Sequence, residues 1–312
     1  MMEPSRIAGI DVAKEAVEVF VLETGDRLQA PTTPRGLATL GERLQGLGVG
    51  LVGLEASGGY ERRVVKALLR AGLEARVLNP LRVRRYATAL NLKAKNDRLD
   101  AQVIAAFTAA TDGPLASEDG RRESLRELVA YRRRMLEELT ALKHQTALLE
   151  DEEVLAFIEE RRRLMQQQCT AVECRIVAAI EADPAMARLS ELFQSVPGVG
   201  PVLAWTLIAE MPEIGRLTRW QVAALAGLAP YDDDSGGKSG QRHIAGGRKT
   251  VRNVLYMAAM VGRTHNPVIA ELYNRLTAKG KQGKVALTAA MRKLIVILNA
   301  IARDNRPWSY EG

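Results

Sequence analysis

The chain has 312 residues, a formal net charge of +7 and a sequence pI near 9.5. Hydrophobic residues make up 47% of it, enough for the cores of two or three domains, whereas aromatic residues make up only 4%. The cationic excess favours a polyanionic partner, and the scarcity of aromatics argues against recognition by base stacking. We find no apolar run of membrane-spanning length and no signal peptide, so we expect a soluble, cytoplasmic protein without a membrane partner.

An aspartate interrupts the first apolar segment. Residues 6–23 are rich in small and β-branched side chains, broken by Lys14 and Glu15, and this pattern predicts two strands joined by a tight turn. Asp11 falls inside the first of these strands. Charged groups seldom occupy such apolar runs without a partner, so a specific role is expected for Asp11.

A glutamate ends a later strand. The apolar run at 50–55 is typical of a central strand and ends at Glu55, before Ser57 and two glycines break the pattern. The other predicted elements of this region are an edge strand near 27–31, a helix begun by Pro34, a helix at 60–71 and a strand at 75–78. Paired strands followed by strand–helix units predict a mixed sheet with helices on its faces, the order of an RNase H-like domain.

Two aspartates begin the next predicted helix. Asp97 and Asp100 are three residues apart, so their carboxylates project from one helix face. Taken singly, each is explained as well by a helix cap or a surface ion pair. Gathered with Asp11 and Glu55, they would repel one another by about 4 kcal/mol per pair at 4 Å, and therefore need a cation or bound protons. Carboxylate oxygens select Mg²⁺ or Mn²⁺, and the four acids together predict metal-dependent phosphodiester chemistry.

Residues 119–184 have the pattern of two long helices. Positions stepping by three and four between 125 and 149 hold mainly leucine, with two polar interruptions, which predicts a coiled-coil seam. A second helix is predicted at 153–181, ended by Asp183 and Pro184. The pair could form an antiparallel hairpin within one chain or a dimerising coil between chains, and the sequence does not choose between them.

Two arginine clusters and two cysteines in these helices indicate which partners or ligands they could bind. The arginine clusters at 132–134 and 161–163 are typical of solvated faces, although the predicted chemistry also favours contacts with nucleic acid. Cys169 and Cys174 do not share a helix face, so we expect free thiols and neither a disulfide nor a zinc site.

A glycine turn marks the start of the third predicted domain, which is mainly helical. Pro197, Gly198, Val199 and Gly200 form a helix-hairpin-helix-like turn, in which exposed backbone N–H groups can grip a phosphate. Gly198 and Gly200 are therefore candidate nucleic-acid contacts. An ordinary turn between helices is the alternative, and the glycine spacing does not fit a dinucleotide-binding fingerprint.

A second glycine-rich segment carries hydroxyl groups and cations. Ser235 and Ser239 lie in a loop that is not a phosphate-binding P-loop, because Asp232 occupies a position where that motif needs glycine. The candidate nucleic-acid-binding cations are Lys238, Arg242, Arg248, Lys249 and Arg252. Hydroxyl and cations together suit attack on a phosphodiester, with His243 as a weak candidate base. From spacing alone, a solvent loop with turn-forming serines is the better interpretation.

In order and spacing, these motifs closely resemble the DEDD-type insertion-sequence transposases, the family that also contains the Piv DNA invertase. The resemblance runs through IDVAK, LEASGGYE, LNPLRVRRYA, KAKNDRLDAQVIA, VPGVGPVLA, GLAPYDDDSGGKSGQRHIAGGRKTVRNVLYMAA and HNPVIAELYNRL, and covers nearly the whole chain. It implies an RNase H-like, RuvC-like catalytic domain at 1–118, a coiled-coil helical insertion at 119–184 and a C-terminal transposase domain at 185–312.

The resemblance also assigns residues. It implies a Mg²⁺-binding tetrad of Asp11, Glu55, Asp97 and Asp100 and a nucleophilic serine at Ser235, which would form a transient phosphoserine link to DNA. Glu61 is a rival for the second acid, but it begins a helix, whereas Glu55 ends a strand. Ser239 is the rival hydroxyl, and the family motif favours Ser235.

The partners implied by the resemblance are donor and target DNA, a guide RNA encoded by the element, and further copies of the chain in a dimer or tetramer. Base pairing with the guide would then supply sequence specificity, while the basic surface holds backbones. Two other functions stay open from the residues themselves. One is a hydrolytic junction-resolving nuclease, in which the tetrad activates water. The other is a non-catalytic nucleic-acid-binding protein.

Overall fold

The chain folds into two compact units, Met1–Asp119 and Gly120–Gly312. The computed structural model describes residues 6–90, 97–116, 119–231 and 243–310, and for 97–99 and 231 it describes the backbone alone. Each unit has its own hydrophobic core.

Within the described residues, the first unit is a five-stranded mixed sheet with helices. Its elements are β1 (Arg6–Val12), β2 (Ala16–Val21), β3 (Arg27–Pro31), α1 (Pro34–Gly46), β4 (Val49–Glu55), α2 (Glu61–Arg70), β5 (Glu74–Leu78), α3 (Pro80–Ala89) and α4 (Asp97–Ala110). The strand order is β3-β2-β1-β4-β5, with β1–β2 and β2–β3 antiparallel and β1–β4 and β4–β5 parallel. The predicted mixed sheet is therefore confirmed.

The two faces of the sheet are covered differently. On one face, alternate residues such as Ile10 and Leu54 are fully buried beneath α1 and α2, where Leu40 and Leu68 complete the core. This alternation follows from the two-residue period of a strand, which points successive side chains to opposite faces. The other face is covered by α4.

Two glycines allow α4 to lie very close to the sheet. Gly9 of β1 and Gly53 of β4 are partners in the parallel register. A Cβ on Gly9 would overlap the backbone of Ala101 and Ala105, and one on Gly53 would overlap the side chain of Thr108. Because neither position has a side chain, the helix packs directly on the strands.

The second unit is mainly helical. Its elements are α5 (Gly120–Thr146), α6 (Glu152–Glu181), α7 (Pro184–Gln194), α8 (Pro201–Glu210), α9 (Arg219–Leu225), β6 (Pro230–Tyr231), β7 (His243–Ile244), α10 (Lys249–His265), α11 (Pro267–Ala278) and α12 (Gly283–Asp304). Asp183, expected to end α6, instead caps α7, because its Oδ1 accepts hydrogen bonds from the N–H groups of Ala185 and Met186.

The long helices α5 and α6 form a hairpin within the chain. Arg132 of α5 contacts Glu173 of α6 at 2.6 Å, and Arg161 of α6 lies 3.8 Å from Glu138 of α5, so the helices run antiparallel. Of the predicted seam positions, Leu125, Met135 and Leu142 are buried, whereas α5 ends before Leu149. Both cysteines are free, Cys169 buried and Cys174 exposed.

Helix α12 is central to the second core. Leu294, Ile295 and Leu298 are at most 1% exposed, and the helix packs against α7, α9, α10 and α11. Among the described helices it alone is long and apolar enough to cross a membrane, with a mean hydropathy of 1.8 over its best window, half of which is buried. A single helix of this kind is weak evidence for a membrane span, since core helices pass the same test.

Candidate active site

Asp11 and Glu55 lie side by side at one edge of the sheet. Ile10 of β1 pairs with Leu54 of β4 in the parallel register, so the next residue on each strand, Asp11 and Glu55, are also neighbours. Each lies two residues after a glycine that contacts α4, Gly9 or Gly53, so both side chains point to the same face of the sheet as those glycines and face α4. Both acids are partly buried. Two of the predicted acids are thus brought together by strand pairing alone.

Asp100 on α4 shares the electrostatic environment of this pair. Burial raises the pKa of Glu55 above its ordinary value of 4.5, and the negative charges of Asp11 and Asp100 raise it further, whereas Arg84 acts in the opposite direction. Asp100 is within range because the glycines beneath α4 hold Ala101, its neighbour, on the sheet. Strand pairing therefore places Asp11 beside Glu55, and Asp100 on α4 lies close enough to act electrostatically on Glu55.

The donor set suits a hard divalent cation. Asp97 is the first residue of α4, and its side chain lies outside the described residues. Among the side chains that are described, no three His, Cys, Asp or Glu groups form a cluster able to hold a metal ion. Asp11 and Glu55 are nevertheless adjacent and partly buried, and a bound Mg²⁺ or Mn²⁺ would offset the unfavourable charges that, with burial, raise the pKa of Glu55.

Glu61, the rival second acid, is occupied by the loop that follows β4. Its Oε2 accepts hydrogen bonds from the N–H of Ser57 at 2.9 Å, the Oγ of Ser57 at 3.1 Å and the N–H of Gly59 at 2.8 Å. In return, the Ser57 Oγ accepts a hydrogen bond from the Glu61 N–H. These contacts tie the loop after β4 to the first residue of α2 and give Glu61 a structural role, which favours Glu55 as the second acid.

The segment that carries Ser235 is closed at its base by a pair of short strands. Ser235, Ser239, Lys238 and Arg242 lie outside the described residues. On either side, Tyr231 of β6 pairs with His243 of β7 in an antiparallel register. His243 is exposed at this position. The two ends of the serine-bearing segment are thus held next to each other.

Two of the predicted nucleic-acid-binding cations hold this base in place. Arg248 forms a bidentate ion pair with Glu213, with N–O distances of 2.7 and 2.9 Å. Burial disfavours the charged form of Glu213, but the hydrogen bond and charge of Arg248 outweigh it and lower the pKa of this carboxyl. Arg252 donates to the carbonyls of Gly246 and Gly227, whereas Lys249 is exposed.

The glycine turn before α8 is packed on the α10–α11 junction. Gly198 has a φ of +92°, and a Cβ there would lie 2.8 Å from the backbone of Gly262. The buried Asn266 donates from Nδ2 to the carbonyl of Pro197 at 3.3 Å. Gly198 is therefore needed for packing, whereas Gly200, with no atom within 4 Å of an added Cβ, has open space beside it.

Two family models match this chain and identify the family to which it is related. Residues 8–151 match a family model for DEDD transposases of IS110 type, described as "Transposase", and residues 190–274 match "Transposase IS116/IS110/IS902 family". The chain belongs to this transposase family. Membership implies an RNase H-like fold for the first unit, in agreement with its mixed sheet, and an enzyme that acts on DNA.

Relatives of this transposase family member include DNA-inverting proteins. The chain is 27% identical to the pilin gene-inverting protein of Moraxella bovis over 264 residues, covering 82% of this chain and 80% of the relative. It is 28% identical to the protein of that name from Moraxella lacunata, with the same coverage. An uncharacterized insertion element IS116 protein of Streptomyces clavuligerus is 29% identical over 38% of this chain and 30% of its own length.

Two side chains near the acids were not singled out from the sequence of this transposase. Glu18 of β2 pairs directly with Asp11 and so faces α4 as well, and Gln29 donates to its Oε1 at 2.9 Å. Counting outward from the predicted turn at residues 14 and 15 would have found Glu18. Arg84 lies on α3, a helix that the sequence reading did not predict.

Proposed function

We propose that the protein is the DNA transposase or recombinase of an insertion sequence, which cuts and rejoins DNA with a Mg²⁺-binding tetrad of Asp11, Glu55, Asp97 and Asp100 and with Ser235 as nucleophile. One observation carries the acidic half of this proposal. The parallel register of β1 and β4 places Asp11 beside Glu55 on the face of the sheet that α4 covers, and this supports a shared role for the two acids. The negative charges of Asp11 and Asp100, together with burial, raise the pKa of Glu55, in agreement with such a role.

The carboxylates would bind and orient Mg²⁺ or Mn²⁺ beside the phosphate that is cut. When bound, the cation supplies neutralising charge for the phosphate and the departing oxygen. The Oγ of Ser235 would form a bond to phosphorus as a P–O ester bond of the DNA breaks, leaving one strand end on the enzyme and a free hydroxyl on the other. A hydroxyl from the exchanging strand would then displace the serine and restore the diester.

The contacts that hold the two ends of the serine-bearing segment support a role for Ser235 that needs accurate positioning. Pairing of β6 with β7, the Arg248–Glu213 ion pair and the hydrogen bonds of Arg252 hold both of its ends. Reactive groups gain most from a rigid support, because small errors in position reduce the rate steeply. Lys238, Arg242 and Lys249 are proposed contacts to the DNA or RNA backbone, together with the turn at Gly198 and Gly200.

The proposed partners follow from family membership. They are donor and target DNA, a guide RNA encoded by the element, and further copies of the chain in a dimer or tetramer, in which the acids and Ser235 meet within one subunit or between two. We also propose that 1–118 is the catalytic domain, 119–184 a coiled-coil insertion and 185–312 a transposase domain with a helix-hairpin-helix-like turn. The gene inversion named for the Moraxella relatives is the same class of strand exchange.

The serine is tested by trapping a covalent protein–DNA adduct. With donor and target DNA, the copurified RNA and Mg²⁺, the wild type and Ser239→Ala should form an adduct that survives denaturing electrophoresis, and Ser235→Ala should form none. An adduct in Ser235→Ala would reject this serine as nucleophile. Metal-dependent cleavage without any adduct would indicate a hydrolytic nuclease instead.

The acids are tested by a matched pair of substitutions. Glu55→Gln should abolish Mg²⁺-dependent strand cleavage, a loss of at least about 100-fold, whereas Glu61→Gln should retain cleavage at temperatures where it is folded. Asp11→Asn should behave like Glu55→Gln. Full activity of Asp11→Asn would reject the metal site, and absence of cleavage by the wild type under all metals would favour a binding protein.

A further inference from the structure

Trp220 is the most exposed aromatic side chain among the described residues. It is 65% exposed at the start of α9, and the Arg219 guanidinium stacks on its indole ring at 4.9 Å. An exposed indole forgoes the free energy that burial of so large an apolar surface would give. Arg219 is locally unfavourable as well, because the first turn of a helix favours acids over cations. Two such side chains in contact with each other indicate a binding surface.

The segment that leads into this surface is firmly held. Asn299 of α12 is buried, and its amide accepts a hydrogen bond from the Gly215 N–H at 2.9 Å and donates one to the Leu217 carbonyl at 2.8 Å. Thr218 then begins α9 with a reciprocal capping box to Gln221. The exposed indole is therefore presented by a rigid support, as a binding site requires.

The same segment presents positive charge. Its one acid, Glu213, is bound by Arg248 in a bidentate ion pair. Arg216 and Arg219 are exposed, and in the part of the chain that the structure describes neither guanidinium forms a hydrogen bond or an ion pair. An exposed ring beside unpaired arginines suits a nucleotide, whose base can stack on the ring while its phosphate binds a guanidinium.

We propose that Trp220 stacks on an unpaired base of a single-stranded nucleic acid, with Arg216 and Arg219 binding the adjoining phosphates. This site rests on the proposed function only in taking nucleic acid as the partner, and neither on the acids nor on Ser235 as nucleophile. The low aromatic content of the chain argues against a row of stacking rings, whereas one unpaired base needs only one ring. Bases within a duplex are already stacked on each other, so the site should prefer single strands.

The first test follows tryptophan fluorescence while unlabelled oligonucleotides bind to the full-length protein in EDTA. Trp205 is buried and Trp308 is half-buried, so quenching by a stacked base should report on Trp220. Oligothymidylate or oligouridylate should quench the wild type and leave Trp220→Leu unquenched, and a hairpin duplex should quench neither protein. The strand that binds more tightly identifies DNA or RNA as the source of the base. Because nothing is cleaved, Ser235→Ala should be quenched like the wild type.

The second test measures affinity for a fluorescein-labelled single strand by anisotropy. Trp220→Leu should bind about 10-fold more weakly than the wild type, and Trp220→Phe should recover part of the loss because it keeps an aromatic face. Tyr310→Leu is the matched control, since it removes another exposed aromatic ring of the second unit and should bind like the wild type. Arg219→Ala should make the plot of log affinity against log salt shallower by about 0.7.

Two results would overturn the proposal. One is single-strand affinity in Trp220→Leu equal to that of the wild type. The other is loss of self-association in Trp220→Leu, measured by analytical ultracentrifugation, with single-strand affinity unchanged, which would assign the ring to an interface between copies of the chain. Absence of all nucleic-acid binding by the wild type would reject this site and the proposed function together.

Discussion

Replacing Gly9 with alanine tests whether the close approach of α4 to the sheet assembles the acidic site. The added Cβ would lie 2.9 Å from the Cα of Ala105 and nearer still to the backbone of Ala101. Carbon–carbon contacts are ordinarily about 3.5–4.0 Å, so α4 has to move outward by roughly 1 Å. Asp100 moves with it, away from Asp11 and Glu55.

Gly9→Ala should lower both the stability of the first unit and the rate of DNA cleavage. Overpacking of this kind destabilises a domain by about 1–3 kcal/mol. A displacement of roughly 1 Å at reacting groups lowers the rate by about 100-fold. Gly46→Ala is the control, because a Cβ at the end of α1 meets no atom within 4 Å. It should leave stability and cleavage at wild-type levels.

The chain offers a convenient internal reference for the assay. Its three tryptophans, Trp205, Trp220 and Trp308, all lie in the second unit, so tryptophan fluorescence during urea unfolding follows that unit. Hydrogen exchange measured by mass spectrometry would follow β1 and α4. Gly9→Ala should speed exchange in those two segments and leave the tryptophan transition unchanged. Wild-type exchange and wild-type cleavage in Gly9→Ala would refute the reasoning.

Three further predictions concern stability. The pKa of Glu55 is raised in the folded protein, so its ionisation opposes folding as pH rises above 4.5. Glu55→Gln should therefore raise the melting temperature of the metal-free protein near neutral pH, with little effect below pH 4.5, whereas Glu61→Gln should lower the melting temperature. The gain in the free energy of unfolding should stay below about 1 kcal/mol, because solvent screens this partly exposed carboxylate. The pKa of Glu213 is lowered in the folded protein, so its carboxylate stabilises the fold above pH 4.5, and this stabilisation is lost as the pH falls through the folded-state pKa. Glu213→Gln should lower the free energy of unfolding by about 1–3 kcal/mol at neutral pH, measured by urea unfolding. An unchanged urea midpoint would contradict this. Gly198→Ala should destabilise the second unit by at least about 1 kcal/mol because its φ is +92° and Gly262 blocks the Cβ, while Gly200→Ala should melt like the wild type.

Much of the local structure could be predicted from the sequence, because it depends on periodicity and on residues close in the chain. The two-residue alternation around Asp11, the apolar run ending at Glu55 and the edge strand at 27–31 correspond to β1, β4 and β3. Helix α4 begins at Asp97, as expected from its apolar spacing. The residue types also predicted an acidic site before any contact between its members was known.

Local sequence patterns did not predict the elements that depend on contacts with residues far away in the chain. Helix α3 was not predicted because Val83 is its one fully buried residue, too little for a visible helical period, and Arg84 was overlooked with it. The two-residue strands β6 and β7 exist only through pairing with each other. Whether α5 and α6 would pair within the chain was open for the same reason.

The sequence by itself therefore determined which acids, glycines and cations are available and on which elements they lie, since those properties are set by residue type and short-range periodicity. Tertiary structure decided which of them act together. Strand register placed Asp11 beside Glu55, and long-range pairing assigned Arg248 to Glu213. The pairing of Gly9 with Gly53 let α4 pack on the strands, with Asp100 close enough to act on the charge of Glu55. These outcomes depend on contacts between residues far apart in the chain, which no local pattern encodes.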